Sequence, residues 1–295
     1  MFSIKYKSDR PIAAIRDDIL GRQTLYFHMR PPKHSVDVDY FDKIGPINGS
    51  ISVLPETRPR QRDCISVSAA PGSGKSTFVC EYIKNFYKEF PHSPKVLLYT
   101  TQASDDFDIA YLPVKDRIEH ITIDDEFIDE KPALAELAYK DEDGKYLPSL
   151  VLFDDIETST KKLHDAVNGF RNTIAANGRK LGIYLIYVST QMPLKEASYR
   201  EFLGNCTGIV IWPKYPPLNI AYILEAHFGI TAAAWKRIKS FTDDYVYMNR
   251  TGVPYLIGNK QAFILNQDRE EELGKMYEKQ KKDDIKKLIS HETTI

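Results

Sequence analysis

The segment Cys64-Ile65-Ser66-Val67-Ser68-Ala69-Ala70-Pro71-Gly72-Ser73-Gly74-Lys75-Ser76-Thr77-Phe78 decides how this chain reads. Its first five residues form a short apolar, β-rich run, and from Phe78 onward Tyr82, Phe86 and Phe90 recur every four residues until Pro91 stops them. A strand, a glycine-bearing turn and an amphipathic helix in that order form the context of a phosphate-cradling P-loop. Gly72 and Gly74 let the backbone approach phosphate oxygens, and the amides that follow point inward at the positive end of the helix. Lys75 is placed to reach the β- and γ-phosphates, Ser76 to ligate magnesium, and Pro71 through Thr77 to form the cradle. One departure is visible: Ala69 stands where the pattern G-x-x-x-x-G-K-[ST] begins with glycine. That position makes the turn out of the strand and not the phosphate contact. The expected ligands are ATP and Mg2+.

Outward from this loop, short apolar runs alternate with helical patterns, the texture of a parallel sheet with crossover helices. Strands are expected at 64–68, 95–100, 118–123, 149–153, 182–189 and 207–212, with helical spacing over 160–176 and 217–228. Ser149-Leu150-Val151-Leu152-Phe153-Asp154-Asp155 is a buried strand ending in two carboxylates. Beside a P-loop, Asp154 suits the metal shell and Asp155 suits the orientation or deprotonation of attacking water, with Glu157 a weaker candidate for that second role. Asp105-Asp106 and Asp124-Asp125-Glu126 lack the same apolar approach and rank lower. A further apolar strand runs into Ser189-Thr190-Gln191, where the Gln191 amide can donate to a γ-phosphate and accept from water.

Composition sets the limits. The 295 residues are 42% apolar and 27% charged, ordinary globular usage with room for a large core. Forty Lys and Arg against 41 Asp and Glu leave a net charge of -1, so any nucleic-acid contact must be local. Cys64, Cys80 and Cys206 form no CxxC pair, which fits a reducing compartment. No apolar stretch approaches the roughly 18 residues of a membrane span, and the opening MFSIKYKSDRP has no signal-type apolar core, so a soluble intracellular protein without membrane insertion is expected. The triplets at Asn48, Asn205 and Asn249 then read as chance. The chain divides into an N-terminal extension (1–62), a P-loop ATPase domain (63–265) and a charged C-terminal helix (266–295). The fold class is α/β: a P-loop NTPase (RecA/ASCE-like), mainly parallel sheet flanked by helices. An irregular, strand-containing N-terminal cap precedes it, and a C-terminal hairpin around 245–257 plus helix follows.

With these elements in order, the chain resembles the FtsK/HerA superfamily of DNA-pumping ATPases. Asn177-Gly178-Arg179-Lys180-Leu181-Gly182-Ile183, running into Val188-Ser189-Thr190-Gln191-Met192-Pro193, is similar to the arginine, Gly-Ile, strand, Ala-Thr-Gln, x-Pro progression of that group. Within it, Phe153-Asp154-Asp155, Asn205-Cys206 and Trp212-Pro213 look like the genome-packaging ATPases of large eukaryotic DNA viruses, poxviruses included, and of their virophage-like relatives. The likeness covers about residues 60–265. It implies a homo-oligomeric ring, commonly of five or six subunits, that threads double-stranded DNA without reading sequence. It also implies a capsid or portal partner and a place at the virus assembly site in host cytoplasm or on the virion. A neighbouring subunit's arginine would complete each site; Arg179 is the first choice at the family spacing, with Arg171 and Arg200 in reserve. Lys180 follows it where viral members commonly have histidine. Lys161, Lys162, Lys195, Arg58, Arg60 and Arg62 are candidate DNA or neighbour contacts. Alternatives are a non-viral DNA translocase of the same superfamily, a P-loop kinase and a nucleotide-gated scaffold that does not turn over.

Overall fold

The structure is a computed structural model that describes residues 2–5, 11–17, 24–29, 43–58, 60–103, 108–156, 160–192, 196–217, 220–240, 243–251 and 255–264. In the N-terminal part, β1 (Phe2–Lys5), β2 (Pro11–Asp17), β3 (Thr24–Met29), β4 (Lys43–Ile44) and β5 (Gly49–Val53) come first. The P-loop region follows as β6 (Cys64–Ser68) and α1 (Lys75–Glu89). Next are β7 (Val96–Thr100), β8 (Ile118–Thr122), α2 (Phe127–Glu130), β9 (Ser149–Phe153), α3 (Lys161–Asn177) and β10 (Ile183–Ser189). The chain continues through α4 (Ala197–Asn205), β11 (Gly208–Ile211), α5 (Ile220–Phe228) and α6 (Ala232–Ile238). It ends with β12 (Val246–Asn249), β13 (Tyr255–Gly258) and β14 (Ala262–Ile264).

Ten strands form one sheet in the order β4-β14-β13-β12-β11-β6-β10-β9-β7-β8. The six from β11 to β8 run parallel, and β12, β13, β14 and β4 extend the sheet antiparallel. This is the mostly parallel sheet of a P-loop NTPase. All seven residues of β10 are buried, as are all five of β6 and of β9, which explains why their sequences run apolar without alternation. Phe78, Tyr82 and Phe86 of α1 pack on one face, and Phe170 and Ile174 of α3 with Phe202 of α4 on the other. Helices therefore cover both faces.

The N-terminal cap is a second, antiparallel sheet in the order β1-β3-β2-β5. Its Ala13, Ile15, Ile51 and Val53 share a core with α1, and Asn85 of α1 donates to the Val53 carbonyl at 2.9 Å. The expected hairpin is β12–β13, with Val246 opposite Gly258 and Asn249 opposite Tyr255. Glu157, Lys195 and the C-terminal helix expected at 266–295 lie outside the described residues. No helix among the described residues is long and apolar enough to cross a membrane.

Candidate functional site

The strand register builds the site. Ser68 at the end of β6 pairs with Ser189 at the end of β10, and Phe153 at the end of β9 pairs with Tyr187. The P-loop, the carboxylates and the Ser189–Gln191 segment thus leave adjacent parallel strands at one rim. β9 lies two strands from β6, a separation of about 10 Å at the usual spacing. Cross-links tie the rim together: Ala69 N–H donates to Ser189 O at 3.3 Å, and Ser189 Oγ to the Gln191 carbonyl at 2.8 Å. The Gln191 side chain is exposed there.

Gly72 and Gly74 take positive φ of 72° and 99°, which glycine adopts without strain, and Gly74 caps the start of α1. No side chain caps that start, so the first-turn amides are open to an anion. The Lys75 ammonium donates to the Ala69 and Ala70 carbonyls at 3.0 and 3.3 Å, at the mouth of the loop.

Asp154 is 6% exposed, and both of its carboxylate oxygens are engaged. Oδ1 accepts from the Asp155 backbone N–H at 3.0 Å, and Oδ2 accepts from the Tyr111 hydroxyl at 2.6 Å. Burial, then the neighbouring Asp154 carboxylate, pushes the Tyr111 phenol far above its ordinary range. Sequence reasoning missed Tyr111: it lies on a 3-10 stretch, Ile109–Arg117, that contains Pro113 and has no clear amphipathic period. The one local signal is Asp108, whose carboxylate accepts from Ala110 N–H and caps that stretch.

Asp155 holds φ at 51°, a left-handed conformation rare outside glycine. Thr101 Oγ1 donates to its carbonyl at 2.5 Å and Gln102 Nε2 to its carboxylate at 2.8 Å, and these bonds hold the strained turn. Burial raises the Asp155 carboxyl above its ordinary range, the Lys75 ammonium pulls it down, and Asp108 pushes it further up. Among the described residues no group of three or more His, Cys, Asp or Glu stands ready to hold a metal alone. The Ser76 and Asp154 oxygens fit magnesium, which takes one or two carboxylates and completes its shell with substrate phosphates and water.

The arginines separate. Arg171 is fully buried; it donates to Asn172 Oδ1 at 3.0 Å and lies 4.5 Å over the rings of both Tyr187 and Phe202. It is a core residue and corrects its place in reserve as a neighbour-reaching arginine, because the aromatic cage of β10 and α4 encloses it. Arg200 is exposed. Arg179 sits before β10, at the rim opposite the P-loop, and donates to the Arg60 carbonyl at 3.3 Å. With Arg60, Arg62 and Lys180 it lines a concavity of about 330 Å³. Arg58 is paired with Glu56 at 2.6 Å, whereas Lys161 and Lys162 are exposed at the start of α3.

The chain is 28% identical over 206 residues to an uncharacterized protein of Sputnik virophage, covering 69% of this chain and 77% of that one. The cytoplasmic domain of the Thermomonospora curvata Type VII secretion ATPase EccC is similar with a TM-score of 0.45 and 13% identity, over 66% of this chain and 25% of that one. The genome packaging NTPase of Sulfolobus turreted icosahedral virus 2, in complex with AMPPCP, is similar with a TM-score of 0.42 and 13% identity, over 69% of this chain and 99% of that one. No family model matches the chain.

Proposed function

We propose that this chain is a magnesium-dependent ATPase that drives double-stranded DNA through a homo-oligomeric ring, as the packaging motor of a viral genome. The observation that carries the hydrolytic part is the meeting of the P-loop, Asp154-Asp155 and the Gln191 segment on three adjacent parallel strands. In this reading the α1 amides and Lys75 hold the phosphates, and Ser76 and Asp154 hold the metal. Magnesium, when bound, neutralises charge on the phosphate oxygens. Asp155, with its affinity for protons raised by burial, takes the proton of the attacking water, and Gln102 fixes the orientation of that carboxylate. Gln191 senses the γ-phosphate from the neighbouring strand end.

The DNA part rests on the motif resemblance. Arg179 follows the same logic. The seven-residue strand β10 separates it from its own P-loop rim by about 20 Å, so it serves a neighbour's site and not its own. Phosphate release with and without long duplex DNA tests the reading. Hydrolysis of ATP that accelerates with duplex supports it. Transfer to a small acceptor indicates a kinase, and nucleotide binding without turnover indicates a scaffold.

A further inference from the structure

The rim opposite the P-loop holds a concavity of about 330 Å³ that the hydrolytic reading leaves unexplained. Three chain segments close it: Arg60 and Arg62 ahead of β6, Tyr146 ahead of β9, and Arg179, Lys180 and Gly182 ahead of β10. Four of these six residues are cations and none is acidic. We propose that the concavity is an anion site separate from the P-loop, and that it binds a metal-free polyphosphate chain. The inference does not rest on the neighbour role given to Arg179, and it goes beyond that role.

Strand pairing brings the segments to one edge. β10 is the middle strand of three, with Leu185 opposite Cys64 of β6 and Ile183 opposite Ser149 of β9, so the residues that precede these strands converge. Gly182 makes the approach close. It holds φ at 80° at the end of the 3-10 turn Gly178–Leu181, and a Cβ there would lie 3.2 Å from the Tyr146 Cβ and 2.9 Å from the Leu147 carbonyl oxygen. Arg179 donates to the Arg60 carbonyl at 3.3 Å, and Arg60 itself sits at φ 61°, a left-handed conformation that costs an arginine free energy.

The charges gathered there are uncompensated. Among the described residues none of the four cations makes an ion pair. The carboxylates closest in sequence are committed elsewhere: Glu56 pairs with Arg58 at 2.6 Å, and the buried Asp63 accepts from Tyr82 and from the Glu56 N–H. Arg62 lies 5.3 Å over the Tyr184 ring and donates from Nη1 to the Gln61 carbonyl at 2.5 Å, yet its Nε is buried with no hydrogen-bond partner among the described residues. An anion satisfies such an orphan donor in the wall of a cationic hollow. Guanidinium forks match phosphate oxygens in pairs, and one phosphoryl group carries only about −1.5 to −2 at pH 7, so a chain of them is needed to balance four cations. With no carboxylate on its walls, the concavity offers a hard metal ion no ligand. Its size falls within the range of small-molecule sites, and its concave form suits a compact anion better than the ridge of a duplex backbone. A bound chain occupies Arg179, so this site and a neighbour's active site draw on one guanidinium.

Calorimetry of the full chain with inorganic tripolyphosphate, in EDTA and about 0.15 M salt to screen diffuse attraction, tests the assignment. Wild type should bind two equivalents, one at the P-loop and one here, and Lys75→Ala should keep one. In the Lys75→Ala background, Arg62→Ala and Lys180→Glu should each weaken the remaining binding roughly ten- to hundredfold. Lys131→Glu, at an exposed lysine outside the concavity, should leave it unchanged. Lys180 is exposed, so its variant tests the site even where Arg62→Ala unsettles the Tyr184 contact. One equivalent in wild type that Lys75→Ala abolishes overturns the concavity and leaves the P-loop reading standing, as does remaining binding that Lys180→Glu does not weaken. One equivalent in wild type that Lys75→Ala keeps and Lys180→Glu loses supports the concavity and counts against the P-loop. Binding of duplex DNA by Lys75→Ala in place of tripolyphosphate overturns the assignment in favour of a nucleic-acid face.

Discussion

Tyr111→Phe removes one oxygen and leaves the ring in place. That oxygen donates to Asp154 Oδ2 at 2.6 Å, with the tyrosine 1% and the aspartate 6% exposed, so water has little access to replace it. A hydrogen bond to a charged group contributes about 1.5–3 kcal/mol, and a buried acceptor left without its donor costs a similar amount. We expect Tyr111→Phe to lower unfolding free energy by about 2 kcal/mol, or roughly 3 °C in Tm for a chain of this size. Because the phenol also orients the carboxylate assigned to the metal, Mn2+ affinity in the presence of ATP should fall about 10- to 100-fold. Urea denaturation gives the first number and Mn2+ electron paramagnetic resonance the second. A stability change under about 0.5 kcal/mol together with unchanged Mn2+ binding would refute the phenol–carboxylate link.

Two further outcomes are expected. Asp63 is 4% exposed, accepts from Tyr82 at 2.5 Å and from Glu56 N–H at 2.8 Å, and burial nevertheless raises its pKa from 3.8 to about 6. Its folded pKa lies above the unfolded value, so its stabilising contribution, roughly 3 kcal/mol, is full below about pH 4 and is lost as pH rises through about 6. The stability difference between wild type and Asp63→Asn should follow that course in denaturant titrations from pH 4 to 7.5; a flat difference would contradict it. Mixing Arg179→Ala with Lys75→Ala should restore part of the hydrolysis that each lacks alone, and no recovery at any ratio removes Arg179 from the neighbour's site.

Much of the sheet is legible in the sequence because its central strands are buried on both faces. The runs at 64–68 and 149–153 match β6 and β9 end to end, since an apolar strand flanked by turn residues has little other use. The P-loop and the carboxylate pair are legible for a related reason: their chemistry demands particular residues at fixed distance from a strand end. Tyr111 is not legible, because its partner lies 43 residues away and joins it only once β7 and β9 pair. Arg171 misleads in the opposite sense. A helical arginine reads as solvent-facing, yet here its guanidinium is stacked inside an aromatic cage assembled from β10 and α4. The pairing β1-β3-β2-β5 depends on long-range register that alternation alone does not specify.

The most direct measurement compares ATP binding with single-turnover hydrolysis in Lys75→Ala and Asp155→Asn. The account predicts that Lys75→Ala loses binding, whereas Asp155→Asn binds ATP with wild-type affinity and hydrolyses it at least a hundredfold more slowly, the lower end of general-base catalysis. Wild-type hydrolysis by Asp155→Asn, or equal loss of binding in both variants, would contradict it.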